Sequence, residues 1–215
     1  MKLPPFSEFA NRLHEHMQLP LPGEDAQYRM VPSGRPRRKQ GIAQASNPKL
    51  SAVLVLFYPF VDEPHLVLMQ RNAYPGVHSA QVSFPGGKAE TYDASLQATA
   101  LREANEEVGV EPDLVRVSGQ LTQVYIPPSG FLVEPYVGTT PSRPNFVPNP
   151  NEVQHIIEVP VRQLLDEASI QQRSIALSDG MKIQVPAFIL QDFVVWGATA
   201  MMLSETKEIL QRIVQ

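Results

Sequence analysis

Residues 51–60, SAVLVLFYPF, contain no charged side chain. A strand with one wet face alternates apolar and polar residues, and this run does not, so it reads as a strand covered on both faces. A sheet holding such a strand needs helices above and below it, which predicts a layered domain. HLVLMQR at 65–71 reads as a second strand, and a short third one is expected at 80–84, ending at Pro85-Gly86-Gly87. A helix over 94–108 stops at Gly109, the residue type that caps helices in the left-handed conformation. Further strands are expected near 114–124, 131–138 and 154–159, and a short helix over 161–168 follows Pro160. Runs at 173–177 and 182–190 suggest a hairpin around Ser178, Asp179 and Gly180, and a last helix spans Ala198–Ile213. Strands and helices intermix without regular βαβ alternation. The fold class expected is therefore α/β in the broad sense: an α+β mixed sheet in an α/β/α sandwich.

Ahead of this core, FSEFANRLHEHMQ at 6–18 places Phe6, Phe9, Ala10, Leu13 and Met17 at helical spacing, with Ser7 as the expected N-cap. A Pro-rich arm follows, with the basic cluster Arg35, Arg37, Arg38 and Lys39. That cluster is either a solvated loop or an anion site. Residues 1–48 are thus expected to be a helix and arm packing on a core domain of 49–215.

Composition narrows the function classes. The 215 residues carry a formal charge of −4 and no cysteine, which excludes disulfides, thiolate metal sites and a cysteine nucleophile. Mild acidity argues against a nucleic-acid-coating protein, which needs a basic surface. No apolar run approaches the ~20 residues of a membrane-spanning helix. With no signal-peptide pattern either, the expected location is the cytoplasm.

Chemistry concentrates in the helix at 94–108. On a helical wheel Ala94, Ala98, Leu101, Ala104 and Val108 fall on one side, and Glu103, Glu106 and Glu107 fall together on the other. Carboxylates at i, i+3 and i+4 repel one another. Arg102 can pair with Glu106, and a divalent cation can bind the rest; an all-oxygen set selects Mg²⁺, Mn²⁺ or Ca²⁺ over zinc. The bland alternative is a solvated acidic face. The Gly-Gly turn ahead of the helix favours the metal, because glycines let backbone groups approach an ion or phosphate.

These residues resemble a Nudix box, whose pattern is Gly, five residues, Glu, seven residues, then Arg-Glu-apolar-x-Glu-Glu-x-Gly-apolar. Here Gly87 is followed after five residues by Asp93, then by eight residues, and the match from Arg102 to Val110 is complete. Asp93 replaces the usual glutamate, and one residue is extra. Asp93 is also a good candidate N-cap for the helix. The stretch VLMQRNAYPGVHSAQVSFPGG at 67–87 resembles the motif of the coenzyme A pyrophosphatase subfamily, with Arg71 and Phe84-Pro85-Gly86-Gly87 in place. A second arginine of that motif falls on Gly76 and its glycine on Ala80. Tyr125-Ile126-Pro127-Pro128-Ser129-Gly130-Phe131, Trp196-Gly197-Ala198-Thr199 and PLPGEDAQYRM at 20–30 are similar to that subfamily too.

The resemblance implies a Nudix fold with an N-terminal helical extension and Mg²⁺- or Mn²⁺-dependent cleavage of a nucleoside diphosphate linkage. It implies Glu103, Glu106, Glu107 and the Gly86 carbonyl as metal ligands, with Arg102 orienting the cluster. The general base is Glu103 or Glu152, the latter also readable as a turn acid before a strand. Arg71, Phe84 and Gly87 of the motif, with Arg35 and Arg37 of the basic cluster, are the expected substrate contacts. The implied substrate is CoA or acyl-CoA, giving 3′,5′-ADP and 4′-phosphopantetheine or its acyl form. Alternatives are a diphosphatase for another nucleotide (ADP-ribose, NADH or a nucleotide sugar) and an inactive nucleotide-binding module. His78 and His155 read as hydrogen-bonding residues, and Tyr125, Phe131 and Tyr136 either stack on an adenine or belong to the core. A homodimer is a family-level expectation.

Overall fold

The computed structural model describes residues 3–32, 37–44, 47–61, 63–73, 80–176 and 180–214. The elements run α1 (Phe6–His16), α2 (Glu24–Gln27), α3 (Arg38–Gln44), β1 (Lys49–Phe60), β2 (Glu63–Arg71), β3 (Val82–Ser83), β4 (Gly86–Lys88) and α4 (Leu96–Val108). After these come β5 (Arg116–Gln120), β6 (Val124–Ile126), β7 (Phe131–Thr139), β8 (Val153–Pro160), α5 (Val161–Leu165), β9 (Ile170–Ala176), β10 (Lys182–Leu190), β11 (Phe193–Val195) and α6 (Gly197–Ile213).

The apolar β1 is the axis of an eight-stranded mixed sheet. It pairs in parallel with β7 from Lys49↔Phe131 to Phe57↔Thr139. Its opposite edge joins β2 only from Phe57 to Phe60. Beyond that the two strands part, and a new strand takes each vacated edge. β4 pairs with β1 at Ser51–Val53, and β3 pairs with β2 at Met69 and Gln70. β8 lies along the far edge of β2, and β5 and β6 along that of β7. A separate three-stranded sheet, β11-β10-β9, carries the expected hairpin; Ser178 and Asp179 at its tip lie outside the described residues.

β1 is covered on both faces, as its composition requires. Ala52, Leu54, Leu56 and Tyr58 pack with Ala100, Ala104 and Val108 of α4. Val55 and Phe57 pack on the other side with Phe9 and Leu13 of α1 and Ile209, Leu210 and Ile213 of α6. The result is a mixed α+β sheet between helical layers. Arg12 of α1 donates to the Ile213 carbonyl at 2.9 Å, fastening the first helix to the last. Glu205 of α6 is wholly buried and accepts from the Gly23 N–H, the Gln27 amide and both the N–H and hydroxyl of Thr122.

Three local expectations are corrected. Pro5, not Ser7, precedes α1, and no side chain caps that helix. Ser95, not Asp93, caps α4, its hydroxyl accepting from the Ala98 N–H at 3.1 Å. Finally, the glutamates of α4 do not all oppose its packed side: Glu107 is buried with Ala100, Ala104 and Val108. Gly109 ends the helix at φ +74, as expected.

Candidate active site

The parting of β1 from β2 makes a notch at the end of the sheet, and Gly86 and Gly87 fill it, not as the expected turn but as the short strand β4 laddered to β1. The backbone itself requires glycine at 86, while the absence of a Cβ at 87 leaves room for the Glu103 carboxylate where it now lies. At Gly86 φ is +154, and a Cβ would lie 2.4 Å from the Ala52 carbonyl oxygen. At Gly87 a Cβ would lie 2.4 Å from the carboxyl carbon of Glu103. This short strand is therefore wedged between β1 and the acidic side of α4.

Glu107 lies deepest, with 1% of its side chain exposed. Its carboxylate accepts from the Gly86 N–H at 2.8 Å and faces the Arg71 guanidinium at 3.2 Å. Burial pushes its pKa up to about 8, against the pull of the Gly86 N–H and of Arg71; the charges of Glu103 and Glu152 push it the same way as burial. Glu103 is largely covered, and burial raises its pKa too, opposed by Arg102 and assisted by Glu106 and Glu152. Glu106 stands half in solvent. The three carboxylates thus descend from water to core along one flank of the helix.

Arg102 gathers the outer carboxylates. It binds Asp93 through Nε at 2.8 Å and Nη2 at 3.0 Å, and reaches Glu103 at 2.8 Å and Glu106 at 2.9 Å. Its Nη2 also donates to the Lys88 carbonyl at 3.2 Å. Asp93 accepts in addition from the Glu90 N–H and the Thr99 hydroxyl, and the Arg102 hydrogen bonds hold its carboxyl well below the usual carboxylate range. The aspartate at this position thus shapes the loop between β4 and α4.

No three acidic or histidine side chains among the described residues already converge as a cation cage. Arg102 occupies Glu103 and Glu106, while Gly86 and Arg71 occupy Glu107. The donor set nevertheless fits a hard divalent ion. All the side-chain donors are carboxylate oxygens, and burial, assisted by neighbouring carboxylates, destabilises the charged forms of Glu103 and Glu107, which a cation would restore.

Glu152 sits exposed on a turn of residues 149–152, and its charge is felt by both Glu103 and Glu107. Two residues that the sequence reading passed over hold this turn. Asn72 donates its side-chain amide to the Pro150 carbonyl and its N–H to the Glu152 carbonyl, each at 2.9 Å. Asn149 donates its N–H to the Glu107 carbonyl, also at 2.9 Å. A polar residue directly after Arg71 was the available signal.

The remaining expected contacts divide. Arg71 joins the cluster. Phe84 does not: its ring is 1% exposed within the core shared with α1 and α6, so it supports β4 from behind and presents no surface to a substrate. Arg37 pairs with Asp25 at 3.0 Å and stacks on Tyr28, and Arg38 pairs with Glu24, so both cations are already engaged. Arg35, Gly76 and His78 lie outside the described residues. His155 is exposed on β8, 6.1 Å from the Phe193 ring. Tyr136 packs against the α4-side core and donates its hydroxyl to Glu134 at 2.8 Å.

Comparison with known proteins bears on the family and the fold. The NUDIX domain family model matches residues 48–177. A Photorhabdus laumondii protein named uncharacterized Nudix hydrolase NudL is 34% identical over 207 residues, covering 95% of this chain and 97% of its own. A Yersinia pestis protein of the same name is 34% identical over 196 residues, covering 90% and 89%. Among solved structures, a MutT/nudix family protein from Enterococcus faecalis superposes with a TM-score of 0.51 at 14% identity, over 90% of this chain and 76% of that one. A Nudix hydrolase from M. smegmatis, RenU, gives 0.50 at 16% identity, over 77% and 88%. At such identities these two likenesses concern the fold.

Proposed function

The chain belongs to the NUDIX domain family, and on that premise we propose that it hydrolyses the diphosphate bond of CoA or acyl-CoA, releasing 3′,5′-ADP and (acyl-)4′-phosphopantetheine. The observation that carries hydrolysis is the descent of Glu106, Glu103 and Glu107 along one helix flank onto Gly86 and Gly87, with Arg71 facing the deepest carboxylate. The CoA assignment is supported by the run from Arg71 to Phe84-Pro85-Gly86-Gly87 and by the segments after the box.

In this reading Glu103, Glu106, Glu107 and the Gly86 carbonyl would hold Mg²⁺ or Mn²⁺, which would neutralise the diphosphate and lower the pKa of water. Arg71, 3.2 Å from Glu107, would offer its guanidinium to a phosphate oxygen. Arg102 keeps Glu103 and Glu106 aimed at β4. Glu152 accepts the proton of the attacking water, whose oxygen bonds to phosphorus as the bridging P–O bond breaks. The substrate is a small molecule, and the chain acts in the cytoplasm.

Initial rates on CoA, 3′-dephospho-CoA, ADP-ribose and NADH, in Mg²⁺ and in Mn²⁺, test the reading. CoA should have the highest kcat/KM. A preference for ADP-ribose or NADH would move the assignment to another nucleotide, and turnover of none would leave a binding module.

A further inference from the structure

The turn at 149–152 is joined to the acidic site from two sides. From the sheet, Asn72 follows Arg71 at the end of β2 and reaches the turn twice, through its side chain to Pro150 and through its N–H to Glu152. Arg71 itself pairs with Val153 in the β2–β8 ladder, across a register irregularity at Gln70 and Arg71. From the helix, the Glu107 carbonyl accepts the Asn149 N–H. Within the turn, the Glu152 and Val153 N–H groups both bond the Asn149 carbonyl, and the Asn149 amide lies 3.4 Å from a Glu152 carboxylate oxygen. An exposed carboxylate on a turn is ordinarily free to swing. This one stands on a backbone bolted to the same strand end and helix turn that carry Arg71 and Glu107.

We propose that Asn72 is a positioning residue for Glu152: its side-chain amide, bonded to the Pro150 carbonyl beside a backbone bond to Glu152 that any residue here would make, holds the turn that carries Glu152 against the strand end and helix that carry Arg71 and Glu107. The proposal rests on the reading of Glu152 as the proton acceptor. Asn72 touches neither substrate nor metal in this scheme. It sets the distance from Glu152 to the attacking water, and an ångström of misplacement at a reacting group costs on the order of 100-fold in rate.

A double-mutant cycle tests this, using the full chain with CoA, or ADP-ribose if the parent prefers it, at saturating Mn²⁺. Asn72→Ala, and Asn72→Leu that roughly keeps volume, adds no charge and loses the amide donor, should lower kcat by about 10- to 100-fold. KM should stay within about twofold. In the Glu152→Gln background the same changes should cost nothing further, because the group they position is gone. Equal losses with and without the Glu152 carboxylate, or an unchanged kcat, would overturn the proposal and leave Asn72 as packing. A harmless Glu152→Gln would also overturn it, while leaving the metal-dependent hydrolase reading intact. A parent inactive on all four nucleotides would overturn both.

Discussion

Arg102 clasps Asp93 with two nitrogens, at 2.8 and 3.0 Å, and with the same guanidinium reaches Glu103 and Glu106. The loop between β4 and α4 and the two outer carboxylates therefore share one cation. Asp93→Asn should destabilise the protein by about 1.5–3 kcal/mol, the usual worth of a charge-assisted hydrogen bond. The Asp93 pKa is depressed in the fold, so its contribution is present above the unfolded value and lost as pH falls through the folded one. Chemical denaturation of parent and variant should differ at pH 7 and converge in strong acid. A constant gap at all pH values would refute the ion-pair account.

Glu107→Gln keeps the volume of the deepest side chain and removes its charge. Activity at saturating metal should fall by several orders of magnitude, since metal-based charge stabilisation supplies several kcal/mol. Melting temperatures should separate the two roles of this residue. Without divalent ions the variant should be at least as stable as the parent, and with millimolar Mn²⁺ only the parent should gain substantially. Near-parental kcat would remove Glu107 from the mechanism.

Metal binding should depend on pH in a definite direction. In the metal-free protein the Glu107 pKa is raised from 4.5 to about 8. The folded chain thus holds this proton more tightly than the unfolded one, and metal-free stability should decline as pH rises from the lower value to the upper. A cation must displace the proton, so Mn²⁺ affinity should strengthen up to about tenfold per pH unit until pH 8 and then level off. Calorimetry in buffers of different ionisation enthalpy should show nearly one proton released per ion at pH 7. Release near zero would mean that Glu107 is already ionised.

Ala80 occupies the motif position where the resembling subfamily has glycine, and its φ is +54. A left-handed conformation costs a non-glycine residue about 1–2 kcal/mol. Glycine gives back part of that relief through its greater unfolded freedom. Ala80→Gly should therefore stabilise the protein by about 0.5–1 kcal/mol, read as a higher denaturant midpoint with an unchanged slope. A loss of stability would show that the strain is absent in solution.

Glu205→Ala should be among the most damaging single changes in the chain. It strips a common acceptor from Gly23, Gln27 and Thr122 in the interior. A buried donor left unmet costs about 1–3 kcal/mol and a part-buried one less, since water can reach it; of these donors the Gln27 bond is fully buried and those of Gly23 and Thr122 are part-buried. Thermal melts should show a large drop, and limited proteolysis should open first near α2, which the carboxylate pins to α6. A variant with parental melting behaviour would mean that water replaces the carboxylate.

Much of this was legible in the sequence because it depends on local pattern. An uncharged ten-residue strand has to be covered twice, and a small-sided helix has to lie close to a sheet. The pairing of Arg102 with Glu106 follows from helical spacing alone. What escaped depends on tertiary competition. A wheel gives angles but not where the sheet lies, so Glu107 could be read as outward when it is the most buried of the three. Asp93 has the chemistry of a cap, yet Arg102 takes its carboxylate and Ser95 caps instead. Phe84 sits in a motif next to reactive residues, and only packing shows that its ring points into the opposite core. The role of Asn72 depends on a carbonyl 78 positions away.

The bond from Arg12 to the Ile213 carbonyl spans 201 positions of chain. An eleven-residue amphipathic helix is below the length at which isolated helices hold in water. The helicity of α1 is therefore borrowed from its docking: Phe9 and Leu13 are buried against Phe57 of β1 and against Ile209, Leu210 and Ile213 of α6, surfaces far away in the chain. A peptide spanning α1 alone should be unfolded, and loosening α6 should melt α1 with it.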